Sequence, residues 1–326
     1  MSSVLGLGNA LVDILAKIEN DKLLDELNLP KGSMQLIDEE GQERINSKAG
    51  HFITEKAAGG SAANTIHGLA VLGIKTGFIG TIGKDETGEF FRSDMEKSNI
   101  KTFLNYGKAR SGVSTVLISP DSERTMATFL GSAIEMTASD IKKDMFEGYT
   151  CFHVEGYLVQ NYELVETALK MAKESGLRNS LDLASYNVVE DNLDFLKRIT
   201  QEYVDVLFAN EEEAKAFTGK EEDEALEEMS KYADISILKL GKRGSLINFN
   251  GEVVKVGVIP ADSVDTTGAG DLYASGFLYG LAHGLTPEQC GRIGAVTSGN
   301  VIQVIGPKMS DGQWIEIKKE VSAIMN

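Results

Sequence analysis

The sequence predicts an α/β protein: a mostly parallel sheet covered by helices on both faces, with a small β-rich excursion from it. Short apolar runs rich in β-branched residues recur at 4–7, 76–82, 115–119, 151–154, 204–208, 235–240 and 245–249. Many are followed by helix-like segments of about ten residues or more, and strands alternating with helices imply parallel pairing. Two stretches, 16–56 and 101–130, break the alternation; in the second, 102–106, 112–119 and 124–129 read as strands with no helix between them. These stretches are expected to form a lid, leaving 1–15, 57–100 and 131–326 as the main body.

Individual elements carry their own punctuation. The helix over 61–72 stops at Gly73, and Thr286-Pro287-Glu288-Gln289 supplies an N-cap, a first-position proline and a capping-box partner for the helix that follows. Thr137 with Asp140 is expected to do the same before 141–146. The acidic cluster 220–228 reads as a solvated helix face, and no repeat or low-complexity tract is present.

Composition narrows the function. The 326 residues suit one large domain with an appendage, or two domains. Lys and Arg number 32 against 49 Asp and Glu, a formal charge of −17, so no basic stripe is available for nucleic acid or an anionic membrane. A small-molecule function is favoured. The start of the chain has neither a basic region nor an apolar run long enough for a signal peptide or membrane span, and Cys151 and Cys290 form no CxxC unit. The expectation is a cytoplasmic protein with buried thiols.

Three motifs carry chemistry. Asp265-Thr266-Thr267-Gly268-Ala269-Gly270-Asp271 opens the helical run 272–284. A glycine-rich turn at a helix start aims unpaired N–H groups and the positive end of the helix dipole at one point, which suits a phosphate. A carboxylate at that lip, Asp271, makes sense as a general base that takes a proton from a nucleophilic hydroxyl; the plain structural alternative is a helix cap over a tight turn. In Ala58-Gly59-Gly60-Ser61-Ala62-Ala63-Asn64, two glycines allow backbone to approach a ligand, and Asn64 offers a donor and an acceptor to sugar hydroxyls. Tight helix–sheet packing is the alternative there. Third, the first strand leaves Asn9 and Asp13 at or beyond its carboxyl end, where open α/β sheets bind ligands.

Other readings fail. Gly6-x-Gly8 lacks the third glycine of a dinucleotide fingerprint, because Leu11 stands there, and in Gly80–Asp85 the hydroxyl residue required after a phosphate-loop lysine is Asp85. None of His51, His67, His153 and His283 has a partner at metal-ligand spacing.

The second and first of these motifs, in that order along the chain, resemble the two signatures of the ribokinase-like (PfkB) family of sugar and nucleoside kinases. The likeness extends to residues 80–88, Glu123-Arg124-Thr125, Asn210-Glu211-Glu212-Glu213 and Lys239-Leu240-Gly241. It implies a Rossmann-like three-layer α/β/α domain with a lid. It also implies ATP and Mg2+ as cofactors, Asp271 as base, and the amides of Gly268, Ala269 and Gly270 as the anion hole. By the same resemblance Asn9, Asp13, Gly59, Gly60 and Asn64 would hold the substrate, and Asn210, Glu213, Lys239 and Gly241 would serve the nucleotide. Glu213 would reach magnesium through water, and Asp265 with Thr267 would help bind a monovalent cation such as K+. Glu155 would assist at the substrate or magnesium end, or be structural. Arg124 would bring positive charge to the transferring phosphate, or be an ordinary exposed arginine.

The acceptor is expected to be a nucleoside, adenosine at its 5′-hydroxyl, from residues 8–13, from 155–158, and from the Gln303 segment, which looks like one late in adenosine kinases. Met34, Leu36 and Phe129 would then sandwich a base. Ribose, fructose or 2-keto-3-deoxygluconate is the alternative acceptor. A catalytically silent binding regulator and a nicotinamide enzyme are further alternatives. A homodimer through the lid is the one macromolecular partner expected.

Overall fold

The computed structural model describes residues 2–121 and 123–326. The chain runs from β1 (Ser3–Leu7) into β2 (Leu11–Lys17), α1 (Lys22–Leu27), β3 (Met34–Leu36), α2 (Glu39–Ala49) and β4 (Ile53–Gly59). It returns through α3 (Ser61–Leu72), β5 (Lys75–Ile82), α4 (Glu86–Lys97) and β6 (Ile100–Tyr106), then forms the hairpin β7 (Gly112–Ile118) and β8 (Arg124–Phe129). Regular alternation follows: β9 (Cys151–Glu155), α5 (Tyr162–Glu174), β10 (Arg178–Asp182), α6 (Tyr186–Asp191), α7 (Leu193–Tyr203), β11 (Val206–Asn210), α8 (Glu211–Thr218), α9 (Glu222–Met229) and β12 (Ile235–Lys239). A second hairpin, β13 (Ser245–Phe249) and β14 (Glu252–Val256), precedes α10 (Ala269–Ala282), α11 (Pro287–Val301) and α12 (Asp311–Met325).

Nine strands form one sheet in the order β14-β13-β12-β11-β10-β9-β1-β5-β6, parallel from β12 to β6 and antiparallel through the hairpin. The central strands are buried along almost their whole length, as strands covered on both faces must be. Leu7, Val154, Leu181 and Leu207 pack under α5 and α7 on one face. Val4, Phe78, Phe208 and Ile237 pack against Ile66 of α3 and Phe277 of α10 on the other.

A second, five-stranded sheet has the order β3-β8-β7-β2-β4. Its pleat separates two faces. Ala16, Leu117 and Ala127 meet Leu24 and Leu27 of α1 and Ile45 of α2, whereas Asp13, Leu15, Val116, Arg124 and Met126 share the opposite face by register.

Three expectations need correction. Residues 102–106 belong to the larger sheet, where β6 pairs with β5 from Thr76↔Ile100 to Ile82↔Tyr106. As an edge strand β6 is only partly buried, so its sequence resembles a lid strand. The smaller sheet also takes in 11–15 and 57–59, beyond the expected lid segments, as parts of β2 and β4. Thr137 and Asp140 do form a capping box, but on a single 3-10 turn; extended Lys142 separates it from a second turn at Lys143–Phe146. The boundaries at Gly73 and at Thr286 with Gln289 fall where expected.

Candidate active site

Asn9, Glu155, Asp182, Asn210 and Lys239 all lie at or just past the carboxyl ends of β1, β9, β10, β11 and β12. The chain adds β5 and β6 on one side of β1, then β9 onward on the other, so a crevice opens where the order reverses.

Asp271 sits in the first turn of α10, and its carboxylate joins two distant motifs. One oxygen accepts from Ser61 Oγ at 2.7 Å and the other from Asn64 Nδ2 at 3.0 Å. Thr65 Oγ1 also donates to the Asp271 carbonyl at 3.1 Å, which fixes α3 against α10. Burial drives the Asp271 pKa up to about 6, while the bonds from Asn64 and Ser61 hold it down. It is therefore ionised at neutral pH and basic enough to take a proton.

The turn ahead of it opens α10 as an anion site. Gly268 has φ +75°, a conformation that glycine adopts without strain. The Ala269 N–H is turned inward onto the Thr266 carbonyl at 3.1 Å, so it is not free for an anion, contrary to expectation. Among the described residues the N–H groups of Gly268 and Gly270 bond no backbone carbonyl. A Cβ on Gly270 would lie 3.2 Å from Lys239 Nζ, so that ammonium stands against the turn.

Lys239 is held by Asp182 at 2.8 Å, both side chains being largely buried. Burial opposes the lysine charge, but Asp182 and Glu213 outweigh it and keep its pKa above the ordinary value. Glu213 is pushed up by burial and pulled back by Lys239. Its carboxylate and Asn210 form a reciprocal capping box: Glu213 accepts from the Asn210 N–H at 2.8 Å and from Nδ2 at 2.6 Å, and Asn210 Oδ1 accepts from the Glu213 N–H at 2.9 Å. Both carboxylate oxygens are thus engaged. Gly241, φ +53°, opens a 3-10 turn beyond Lys239 with nothing within 4 Å of a Cβ position.

Across the cleft, Asp13 lies on the face of the smaller sheet opposite α1 and α2, 8% exposed and against Gly59, where any Cβ would collide with its carboxylate. Burial raises its pKa to about 7, Lys308 lowers it and Asp271 raises it further. Gly60 is the N-cap of α3. Asn9 is held through its N–H at 2.9 Å and Nδ2 at 2.7 Å by Glu155, whose other oxygen accepts from the Ala62 N–H at 2.8 Å. Glu155 therefore ties the segment after β1 to the start of α3. Asn9 Oδ1 and Asn64 Oδ1 remain buried acceptors with no protein partner.

Arg124 reaches from β8 onto the anion turn. Its guanidinium pairs with Asp265 and donates to Thr267 Oγ1 at 3.4 Å, while Nε and Nη2 stay buried without protein partners. Asp265 also accepts from the Thr267 N–H at 2.8 Å and the Gly306 N–H at 2.6 Å. Two amides and an arginine thus meet the carboxylate, and the arginine's positive charge stands where the resemblance would put a monovalent cation.

The structure thus gathers Asp13, Gly59, Gly60, Asn64, Arg124, Lys239 and the 265–271 turn around one cleft. Phe129 falls on the opposite face of the smaller sheet from Met34 and Leu36, because the pleat alternates. Gln303 turns its amide onto the Gly299 carbonyl at 3.1 Å and reads as an end cap of its own helix. Sequence reasoning missed Asp182, which ends the mostly polar strand Arg178-Asn179-Ser180-Leu181-Asp182 and so carried little signal.

The pfkB family carbohydrate kinase profile matches residues 34–311. A probable sugar kinase from Rhizobium etli CFN 42 has the same fold, with TM-score 0.89 and 31% identity over 99% of both chains. The adenosine kinase from Sinorhizobium meliloti gives TM-score 0.87 and 31% identity over 98% of this chain and 99% of that one. Adenosine kinase 1 of Arabidopsis thaliana is 26% identical over 331 aligned positions, 93% of this chain and 94% of its own length.

Proposed function

The chain belongs to the pfkB family of carbohydrate kinases, and on that premise we propose that it transfers the γ-phosphoryl group of ATP to the 5′-hydroxyl of adenosine. That it is an ATP-dependent phosphotransferase acting on an alcohol group follows from the family; the acceptor and the residue roles are the proposal. The observation that carries it is the Asp271 carboxylate, held by Ser61 and Asn64 at the start of a helix whose dipole faces the same point.

In this reading Asp271 removes the hydroxyl proton as the oxygen attacks phosphorus, the bond to the β-phosphate oxygen breaks, and ADP leaves. The free N–H groups of Gly268 and Gly270, the Lys239 ammonium and the unpartnered donors of Arg124 stabilise the charge on the phosphoryl oxygens. Asp13 and Asn64 orient the acceptor, with the unpaired Asn9 Oδ1 beside them. Asp182 holds Lys239, and Asn210 with Glu213 shapes the nucleotide side.

A magnesium ion carried on the triphosphate would meet Glu213 through water, because both Glu213 oxygens are held by Asn210 and those of Asp182 by Lys239 and the Ala184 N–H. When bound it neutralises phosphate charge. Among the described residues no set of three carboxylate, histidine or cysteine side chains could cage a bare ion. No step is assigned to K+, since Arg124 already serves Asp265.

Met34 and Leu36, 45% and 59% exposed on the strand face shared with Asp13 and Arg124, support a flat apolar base as part of the acceptor. The second reading, a sugar acceptor, is supported by the likeness to the Rhizobium etli protein; Asp13 and Asn64 would serve a sugar's hydroxyls equally. A second copy of the chain is the partner this reading allows, because β3 ends the smaller sheet as an unpaired edge. Two free buried cysteines suit a reducing cytoplasm.

Single-turnover measurement with Asp271→Asn tests the assignment. A fall of about 10³-fold in the phosphoryl-transfer rate is expected for loss of a general base; an unchanged rate removes Asp271 from the chemistry.

A further inference from the structure

The run 80–88 has no part in the phosphoryl-transfer scheme, yet Asp85 within it stands where the two sheets join. Asp85 caps α4, accepting from the Gly88 N–H at 2.8 Å. α4 belongs to the larger body, with Phe91 and Met95 packed among Phe78 and Ile82. The same carboxylate reaches across to Ser111, the residue before β7 of the smaller sheet. One oxygen accepts from the Ser111 N–H at 2.7 Å and the other from its Oγ at 2.6 Å. Ser111 Oγ in turn accepts from the Gly83 N–H at 2.8 Å, and Ser111 is 3% exposed. The fit is close: a Cβ on Gly83 would lie 2.6 Å from the Ser111 nitrogen, and one on Gly88 2.7 Å from Ser111 Oγ. Burial works against the charge on Asp85, but the bonds from Ser111 and Gly88 outweigh it and hold its pKa below the ordinary value. Glu135 holds the same crossing farther back, accepting from the Lys108 N–H at 2.6 Å and the Ala109 N–H at 2.9 Å.

The chain passes between the two sheets four times, and the register places every crossing at one end of the smaller sheet. Leu11 opposes both Gly59 and Gly112, and Val113 opposes Phe129. The smaller sheet is thus a lever rooted at that end. Asp13 lies opposite Ser114, close to the root, whereas Arg124 lies opposite Ile118 at the far end. At about 3.3 Å per residue, Arg124 is roughly 20 Å from the root and Asp13 about 7 Å. A tilt of about 5° at the root therefore carries Arg124 by roughly 2 Å but Asp13 by only about 0.6 Å. Misplacement by about 1 Å is enough to slow a reaction by about 100-fold.

We propose that Asp85 is a positioning residue for phosphoryl transfer: through Ser111 it fixes the tilt of the smaller sheet, and so the place of the Arg124 guanidinium over the anion turn. Asp85 acts at the root and touches no reacting atom. This inference rests on the reading of Arg124 as a group that stabilises charge on the transferred phosphoryl oxygens.

Asp85→Asn and Ser111→Ala test it in the full-length protein, each alone and combined with Arg124→Met. Asparagine still caps α4 but sets its NH2 against the Ser111 N–H, and Ser111→Ala leaves the cap untouched. The readout is the single-turnover rate constant with saturating MgATP and the better of adenosine and ribose, which does not depend on the fraction of folded protein. Each variant should lower it about tenfold, with the acceptor KM changed less than about threefold because Asp13 sits near the root. In the Arg124→Met background each should lower it less than about twofold, since the lever then carries no charge. No fall in the wild-type background overturns the proposal, and so does an equal fall in both backgrounds where Arg124→Met itself slows transfer. Spin labels on Lys17→Cys at the tip of β2 and Gln201→Cys on α7, both exposed positions, read the tilt directly. Asp85→Asn should broaden the distribution of distances between them, and an unchanged distribution overturns the proposal. If the distribution broadens while Arg124→Met alone leaves the rate constant in place, Asp85 still sets the sheet and the reading of Arg124 is what fails.

Discussion

Asp13 and Asp271 are carboxylates that burial lifts from 3.8 to about 7 and about 6, so both change charge just below neutrality. As the proposed base Asp271 must be ionised, which predicts a kcat/KM for the acceptor that falls on the acid side around pH 6; a profile flat to pH 5 would contradict that role. The same shifts act on stability with a definite sign. Folded pKa values above the unfolded ones mean that the native state binds more protons from about pH 4 to 7, so stability is lost as pH rises through that window. Asp271→Asn should accordingly melt about 2 °C higher than the wild type at pH 7.5 while losing activity. Calorimetry on the two proteins decides it, and a lower midpoint would show that the carboxylate supports the fold. At Asp265 the arginine in the cation's place predicts that exchanging K+ for tetramethylammonium leaves the initial rate within about twofold. A loss of tenfold or more would mean that the Arg124 contact yields to an ion during turnover.

The elements differ in how plainly the sequence announces them, and the reason is burial. Strands β9, β11 and β12 are mostly apolar because both faces are covered, and α3, α10 and α11 carry glycine or capping punctuation that depends on local chemistry alone, whereas β10 is buried but reads Arg-Asn-Ser-Leu-Asp and was not legible as a strand. β6 and β3 are edge strands whose partly exposed patterns fit either sheet, so their partners were not legible in the sequence. Pairing geometry also decides which side chains can line the proposed acceptor pocket. The register Met34↔Met126 and Leu36↔Thr128 sets both apolar side chains on the cleft face, whereas Phe129 takes the face toward Val113 and Thr115. Changing Met34 and Leu36 together to Thr should therefore raise the KM for adenosine about tenfold and leave catalysis on ribose unaltered. Equal effects on the two acceptors would assign β3 a purely structural part. At the end of β12, Lys239→Met would leave Asp182 buried without its partner, a cost of about 3 kcal/mol to stability as well as a loss of transfer rate.

Across the whole molecule, the site is assembled from segments far apart in sequence. Ser61 and Asn64 meet Asp271 across 210 and 207 residues, and Arg124 meets Thr267 across 143. The two glycine-containing motifs were readable because each states its own local chemistry: a turn, a helix start and a polar residue at fixed offset. Asp182 was not, since a lone acid gains meaning only when the sheet order sets it beside Lys239. Asn210 and Glu213 show the converse, a motif whose reciprocal cap accounts for every polar atom of the carboxylate. In the proposed reading the larger sheet and α10 supply the nucleotide side and the anion turn, the smaller sheet supplies Asp13 and Arg124, and the cleft between them is where an acceptor would meet ATP. The most direct measurement is initial-rate kcat/KM with MgATP across adenosine, inosine, guanosine, ribose, fructose and 2-keto-3-deoxygluconate. The account predicts adenosine ahead of every free sugar by about 100-fold or more, the margin that an apolar base pocket together with matched hydroxyl contacts can supply. A free sugar with the highest kcat/KM would contradict it.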